Sequence, residues 1–220
     1  MTWPASADSL AEEQARLAAA QPAPWRPAPA LLVGGCFVCF PRGQTGPGQA
    51  GDRAWAAAAT IDETAVVSGA AGAPYEPGVL ALREGALLEH AIRALPRLPD
   101  VLLVNATGRD HPRRAGLALH LGSVLDLPTV GVTHRPLLAA GDDPGEEPGA
   151  RSPLLLHGEL VGYLLRTKSR CRPLAIHAAW RTDSETAVEV VLACTRDART
   201  PEPLRRAREA ARIARAAPAS

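Results

Sequence analysis

At 220 residues the chain suits a single domain whose core needs no disulfide or metal staple. Its 24 lysine and arginine residues against 23 aspartate and glutamate leave a formal net charge of +1, so no global field draws it to nucleic acid or membrane and any polyanion contact has to be local. No apolar run reaches the roughly 18 residues of a membrane span, and Met1-Thr2-Trp3-Pro4 leads into an acidic, alanine-rich stretch unlike an export signal, which predicts a soluble, cytoplasmic protein with free thiols.

Ser6 or Ser9 caps a first helix running to about Ala20, and the proline-rich connector to Pro29 cannot continue it. The domain reading is therefore residues 1–29 as helix and connector, and 30–220 as the functional domain. Leu31 to Phe40 reads as a strand covered on both faces; Cys36 and Cys39 then point to opposite sides, which excludes a metal or redox Cys-x-x-Cys. A glycine-rich loop from Pro41 to Asp52 precedes a hairpin of Arg53–Ile61 and Thr64–Ala70. Leu80 to Pro96 carries a helical stripe, Val101–Val104 is a short buried strand, Leu117–Leu125 a helix and Thr129–Thr133 a strand, the pattern of a parallel pair. Ala139 to Ser152 reads as a solvated acidic loop, and Leu160–Arg166 with Leu174–Ala179 as a second hairpin. Thr182 or Asp183 caps a helix to about Cys194, and Pro203–Ala217 is a closing basic helix. No internal repeat is present.

Several motifs stand in a fixed order: Pro74-Tyr75-Glu76-Pro77-Gly78; Arg83-Glu84; Asn105 through Gly108-Arg109-Asp110-His111-Pro112-Arg113-Arg114 to Gly116; Pro128-Thr129-Val130-Gly131-Val132; Arg166-Thr167-Lys168-Ser169-Arg170-Cys171; and Pro201-Glu202-Pro203. Together they resemble the endonuclease V family, whose members cut nucleic acid near inosine. The likeness runs from about Leu31 to Pro203. It implies a ribonuclease H-like fold of class α/β, a mixed sheet of antiparallel strands and a parallel pair flanked by helices. It also implies magnesium or manganese as cofactor, and DNA or RNA, inosine-containing included, as partner; a monomer is expected.

Two-metal phosphodiester hydrolysis needs convergent carboxylates, because magnesium prefers hard oxygen ligands. By the resemblance the metal-ligand positions are Phe37, Glu84 and Asn105, of which Glu84 alone is a carboxylate. Phe37 replaces a ligand, and Asn105 offers a neutral carbonyl oxygen, so metal binding is expected to be weak or absent. Glu84 also suits the first turn of a helix as a simple complement to the macrodipole. Asp110 is the nearest spare carboxylate and Asp62 a more distant one. His111 is either a proton shuttle, as the family implies, or a loop-bonding residue.

The family further implies Tyr75, with Pro77 and Gly78, as a wedge into the duplex, and Gly108 and Gly131 as backbone contacts to the flipped base. Arg113, Arg114, Lys168, Arg170 and Arg172 suit phosphate contacts, or a solvated basic face. His134 stands where the family carries a lysine, and Trp180 where it carries a histidine before arginine. The expected function is thus an endonuclease V-like nucleic-acid-binding protein with weak or lost cleavage. Its alternatives are an active enzyme with one metal held by Glu84, Asp110, Asn105 and His111, and a pocket recruited for a small molecule or a protein partner.

Overall fold

Ser6 opens the first helix through a reciprocal pair of hydrogen bonds, its hydroxyl accepting the Ser9 N–H at 3.2 Å while its own N–H donates to the Ser9 hydroxyl at 3.1 Å. In the computed structural model, which describes residues 3–43 and 46–217, this helix (α1) spans Ala7–Ala19. Met1, Thr2 and residues 44 and 45 of the glycine-rich loop lie outside the described residues. Leu10, Gln14 and Leu17, spaced by four and three, turn inward. The two leucines are fully buried in the same cluster as Leu88, Ile92 and Leu121, so α1 packs into the main core. Each such leucine contributes about 2 kcal/mol by burial.

The sheet is built from β1 (Val33–Cys39), β2 (Arg53–Ala59), β3 (Thr64–Ala70), β4 (Val101–Val104), β5 (Thr129–Thr133), β6 (Arg151–Leu156), β7 (Glu159–Leu165) and β8 (Leu174–Ala178). Their spatial order is β3-β2-β1-β4-β5-β8-β7-β6. β1, β4 and β5 run parallel, and every other pairing is antiparallel. One face carries α1, α2 (Leu80–Arg93) and α3 (Leu117–Leu125); the other carries α4 (Ser184–Ala193), capped by Asp183, and α5 (Glu202–Ala216). This is the ribonuclease H-like arrangement expected above. Cys36 faces the α2 side and Cys39 the α5 side, where its thiol donates to the Ala211 carbonyl at 3.4 Å. All four cysteines are free thiols. Among the described residues no helix is long and apolar enough to cross a membrane.

Two expectations need correction. The parallel segment is a trio, because β1 inserts between β2 and β4. The second hairpin gains an edge strand, β6, in a stretch that local composition assigns to loop and turn. Pro153 sits in that strand at the sheet edge, where a missing N–H is tolerated, and His157-Gly158 closes the β6–β7 hairpin with positive φ at both positions, 53° and 81°.

Candidate functional site

The carboxyl ends of β1 and β4 meet at the site. Cys36 pairs with Val104, so continuing the parallel register by one residue sets Phe37 alongside Asn105. Glu84 on α2 closes the third side, and Tyr75, half exposed, stands at the rim. These four residues line a cavity of about 240 Å³ whose remaining walls are Cys36, Val38, Phe40, Leu80, Leu88, Val104 and Leu117. The position matches the general preference of α/β sheets for ligands outside the carboxyl ends of parallel strands.

Burial pushes the Glu84 carboxyl up to about 7, only partly opposed by Arg83. Arg83 does not pair with it: its guanidinium donates to the carbonyls of Gln49 and Ala73, meets Asp52 at 3.1 Å, and lies 4.2 Å from the centre of the Phe40 ring. Burial, aided by Glu84, also drives the Cys36 thiol well above its usual range, so it stays protonated.

The unfolded Glu84 ionises near 4.5 while the folded one holds its proton to about 7, so this group withdraws stability as pH rises through that interval. The expected result is that Glu84→Gln matches the parent near pH 4.5 and gains roughly 2 kcal/mol above pH 7, allowing for water on one side of the half-buried carboxyl. Urea unfolding in chelator at the two pH values measures it, and a pH-independent difference contradicts it.

Asp110 and His111 do not line this cavity. Asp110 is completely buried and accepts three backbone N–H groups, from Leu137 at 2.7 Å, Leu138 at 2.9 Å and Ala139 at 2.8 Å. It ties down the loop after β5 instead of facing Glu84, which corrects its reading as a spare ligand. Beside it, the buried His177 donates from Nε2 to Thr133, whose hydroxyl is itself committed to the Arg135 carbonyl. Nδ1 of His177 then faces Asp110 Oδ2 at 3.8 Å, and burial holds this imidazole well below its usual range. Nδ1 of His111 accepts the Arg113 N–H at 3.1 Å, and the backbone of Gly78 beside the ring acts to raise its pKa. Burial holds its pKa below the usual imidazole value. The Gly78 carbonyl accepts from Gln14 Nε2 at 3.2 Å, which ties α1 to the Tyr75–Gly78 turn.

Gly108 and Gly131 have a packing reason to be glycine. A Cβ on Gly108 would stand 2.1 Å from the Ala178 carbonyl oxygen, and one on Gly131 2.5 Å from that of Ala106. Asp62 sits exposed in the β2–β3 turn.

The basic residues divide. Arg113 donates to Gln14 at 3.1 Å and Arg114 pairs with Glu159, whereas Lys168 donates to the Asp197 carbonyl at 2.6 Å. Arg170, Arg172 and His134 line a separate open cavity of about 580 Å³. Two further cations, Arg199 and Arg208, were not singled out by the sequence. Arg199 Nη1 lies 3.2 Å from His134 Nδ1, and the Arg208 guanidinium lies 5.2 Å from the centre of the Phe37 ring. The available signal was the run of arginines on the closing helix.

A family model described as Endonuclease V matches residues 26–209. The chain belongs to the endonuclease V family. The endonuclease V of Methanopyrus kandleri is 46% identical over 141 residues, 64% of this chain and 60% of that protein. This chain thus spans about three fifths of the length of that relative. Among solved structures, the endonuclease V of Streptomyces avermitilis is 34% identical with a TM-score of 0.85, covering 96% of this chain and 94% of its own. The catalytic domain of human endonuclease V is 31% identical with a TM-score of 0.81, covering 95% and 96%.

Endonuclease V enzymes are metal-dependent as a family, and the donor set in the cavity can be tested against that. It offers one carboxylate, the Asn105 amide and the Tyr75 phenol among apolar walls. Magnesium takes hard, preferably anionic oxygens in octahedral array, and a pair of such ions needs bridging carboxylates. The residues present do not fit a magnesium pair. Among the described residues, no three of His, Cys, Asp and Glu gather as a metal site.

Proposed function

We propose that the chain is a nucleic-acid-binding member of the endonuclease V family in which cleavage near inosine is weak or lost. The observation that carries this is Phe37 beside Asn105, opposite Glu84, at the carboxyl ends of β1 and β4. By the family resemblance those two positions belong to aspartates that hold the activating cations. With one carboxylate left, attraction for a divalent ion falls by several kcal/mol even at an effective dielectric of about 20. Affinity for the partner comes from the basic residues His134, Lys168, Arg170 and Arg172, and Tyr75 retains an exposed ring for insertion at a base step. The protein acts as a cytoplasmic monomer on DNA or RNA.

The test is incubation of pure protein with inosine-containing DNA and RNA and magnesium or manganese. Salt-sensitive binding without robust nicking is expected; robust nicking abolished by Glu84→Ala overturns the proposal. A rearranged single-metal enzyme is disfavoured, since Asp110 spends both oxygens on backbone N–H groups and neither it nor His111 lines the cavity of Glu84. The apolar walls of the cavity favour one other reading, a small-molecule pocket, which gains if no nucleic acid binds at low salt.

A further inference from the structure

We propose that His134, Arg199 and Arg208, with Arg212 behind them, form a metal-independent seat for a phosphate group of the nucleic-acid backbone, placed on the α5 side of Phe37. The proposal rests on the nucleic-acid reading above and specifies where the phosphate is held once the cations are gone.

Position supports it first. Phe37 stands near the carboxyl end of β1 and His134 follows β5, so both lie at the end of the parallel trio where α/β sheets take ligands. Phe37 has two neighbourhoods: it lines the cavity of Glu84 and Asn105, and its ring also packs toward α5 beneath the Arg208 guanidinium. A fixed positive charge therefore stands next to the residue that the family resemblance assigns to a cation ligand.

The cluster is uncompensated. Arg199 and Arg208 both depress the His134 imidazole after its burial, and Arg199 and Arg212 both depress Arg208, with no carboxylate opposing at either group. The acidic residues nearby have other partners: Glu202 and Glu209 pair with Arg205, and Asp143 with Arg166. Nε of Arg208 is buried without a hydrogen-bond partner among the described residues. The mutual repulsion of the cluster is relieved by an anion held between its guanidinium groups.

Arg199 is also preorganised. Its Nε donates to the Arg172 carbonyl at 2.6 Å and its Nη2 to the Pro173 carbonyl at 2.8 Å, which fixes the guanidinium and aims Nη1 at His134. A planar fork held this way keeps its direction without ordering cost on binding. In a two-metal nuclease the cations clamp the phosphate. Here guanidinium groups supply that charge, and binding loses its need for a divalent ion.

Fluorescence anisotropy on an inosine-containing duplex tests this. Wild-type affinity should be no higher in magnesium than in chelator, while Arg208→Gln weakens it at least fivefold and lowers the slope of log affinity against log salt by about 1. Arg199→Gln should act likewise, and thermal melts of each variant confirm folding. In parallel, inorganic pyrophosphate in chelator should raise the melting temperature of the wild type more than that of Arg208→Gln.

Unchanged affinity, slope and pyrophosphate response in both variants overturns the seat. If Arg170→Ala with Arg172→Ala still weakens DNA binding in that case, the nucleic-acid reading survives without it. If no nucleic acid binds but pyrophosphate stabilises through Arg208, the anion seat stands and the nucleic-acid reading falls. Affinity that requires magnesium also overturns the proposal.

Discussion

Replacing Phe37 and Asn105 together by aspartate is expected to create a manganese site at least a hundredfold tighter than the parent's and to bring metal-dependent nicking of inosine-containing DNA. Continuation of the β1–β4 register sets the new carboxylates side by side, facing Glu84 across the 240 Å³ cavity. Each added carboxylate contributes several kcal/mol of attraction to a divalent ion at an effective dielectric of about 20. Bound metal would also favour ionised Glu84 and so reverse the effect of burial on that group. Either single change should do much less. Each of them leaves the metal with two charged ligands, Glu84 and the one new aspartate, in place of three. Loss of the Phe37 ring from its packing against Trp55, Ala207 and Ala211 should cost about 3 kcal/mol, part of which saturating metal returns by mass action. Isothermal titration with manganese and a nicking gel give the measurement. Absence of manganese binding at millimolar concentration in a folded double variant would show that the metal site is missing more than these two ligands.

How far the sequence discloses this molecule depends on whether a feature is local. β4, α3 and β5 have the expected bounds because each is an apolar run closed by turn residues, a signal contained in its own few positions. The pairing of β1 with β4 joins segments far apart in the chain, and no periodicity reports it. β6 escaped because an edge strand that carries Pro153 and follows a glycine- and proline-rich acidic stretch looks like loop; the two-residue turn at His157-Gly158 was the readable sign.

At the site, the motif positions assigned to metal ligands, Phe37, Glu84 and Asn105, line one cavity, and Tyr75, cast from the motifs as a wedge, lines it too. Side-chain direction in the loop after β4 was not readable. Asp110 and His111 are adjacent, yet Asp110 bonds the backbone of residues 137–139 across a long stretch of chain while His111 accepts the N–H of Arg113 two residues on. Arg208 was hidden for the opposite reason: in a helix rich in arginine, composition does not say which residue turns inward.

Asp110 gives the sharpest contrast between a chemical and a structural role. Asp110→Ala should destabilise the protein by about 4 kcal/mol, because three charge-assisted hydrogen bonds vanish together and the Ala139 N–H is left buried without an acceptor. Asp110→Asn should recover part of this, since an amide oxygen can accept two of the three donors while its nitrogen is turned against a further N–H. Urea unfolding at pH 7, read as a shifted midpoint at constant m-value, measures both. A ligand role predicts the reverse pattern, with stability kept and divalent-ion binding lost. The tether also reaches the anion seat, because residues 137–139 begin three positions after His134 and are held to the body of the protein through this carboxylate. In the folded fraction of Asp110→Ala, the loop carrying His134 loses its anchor. DNA affinity should then fall together with stability, while Glu84 and its cavity, which Asp110 does not touch, keep their pH dependence.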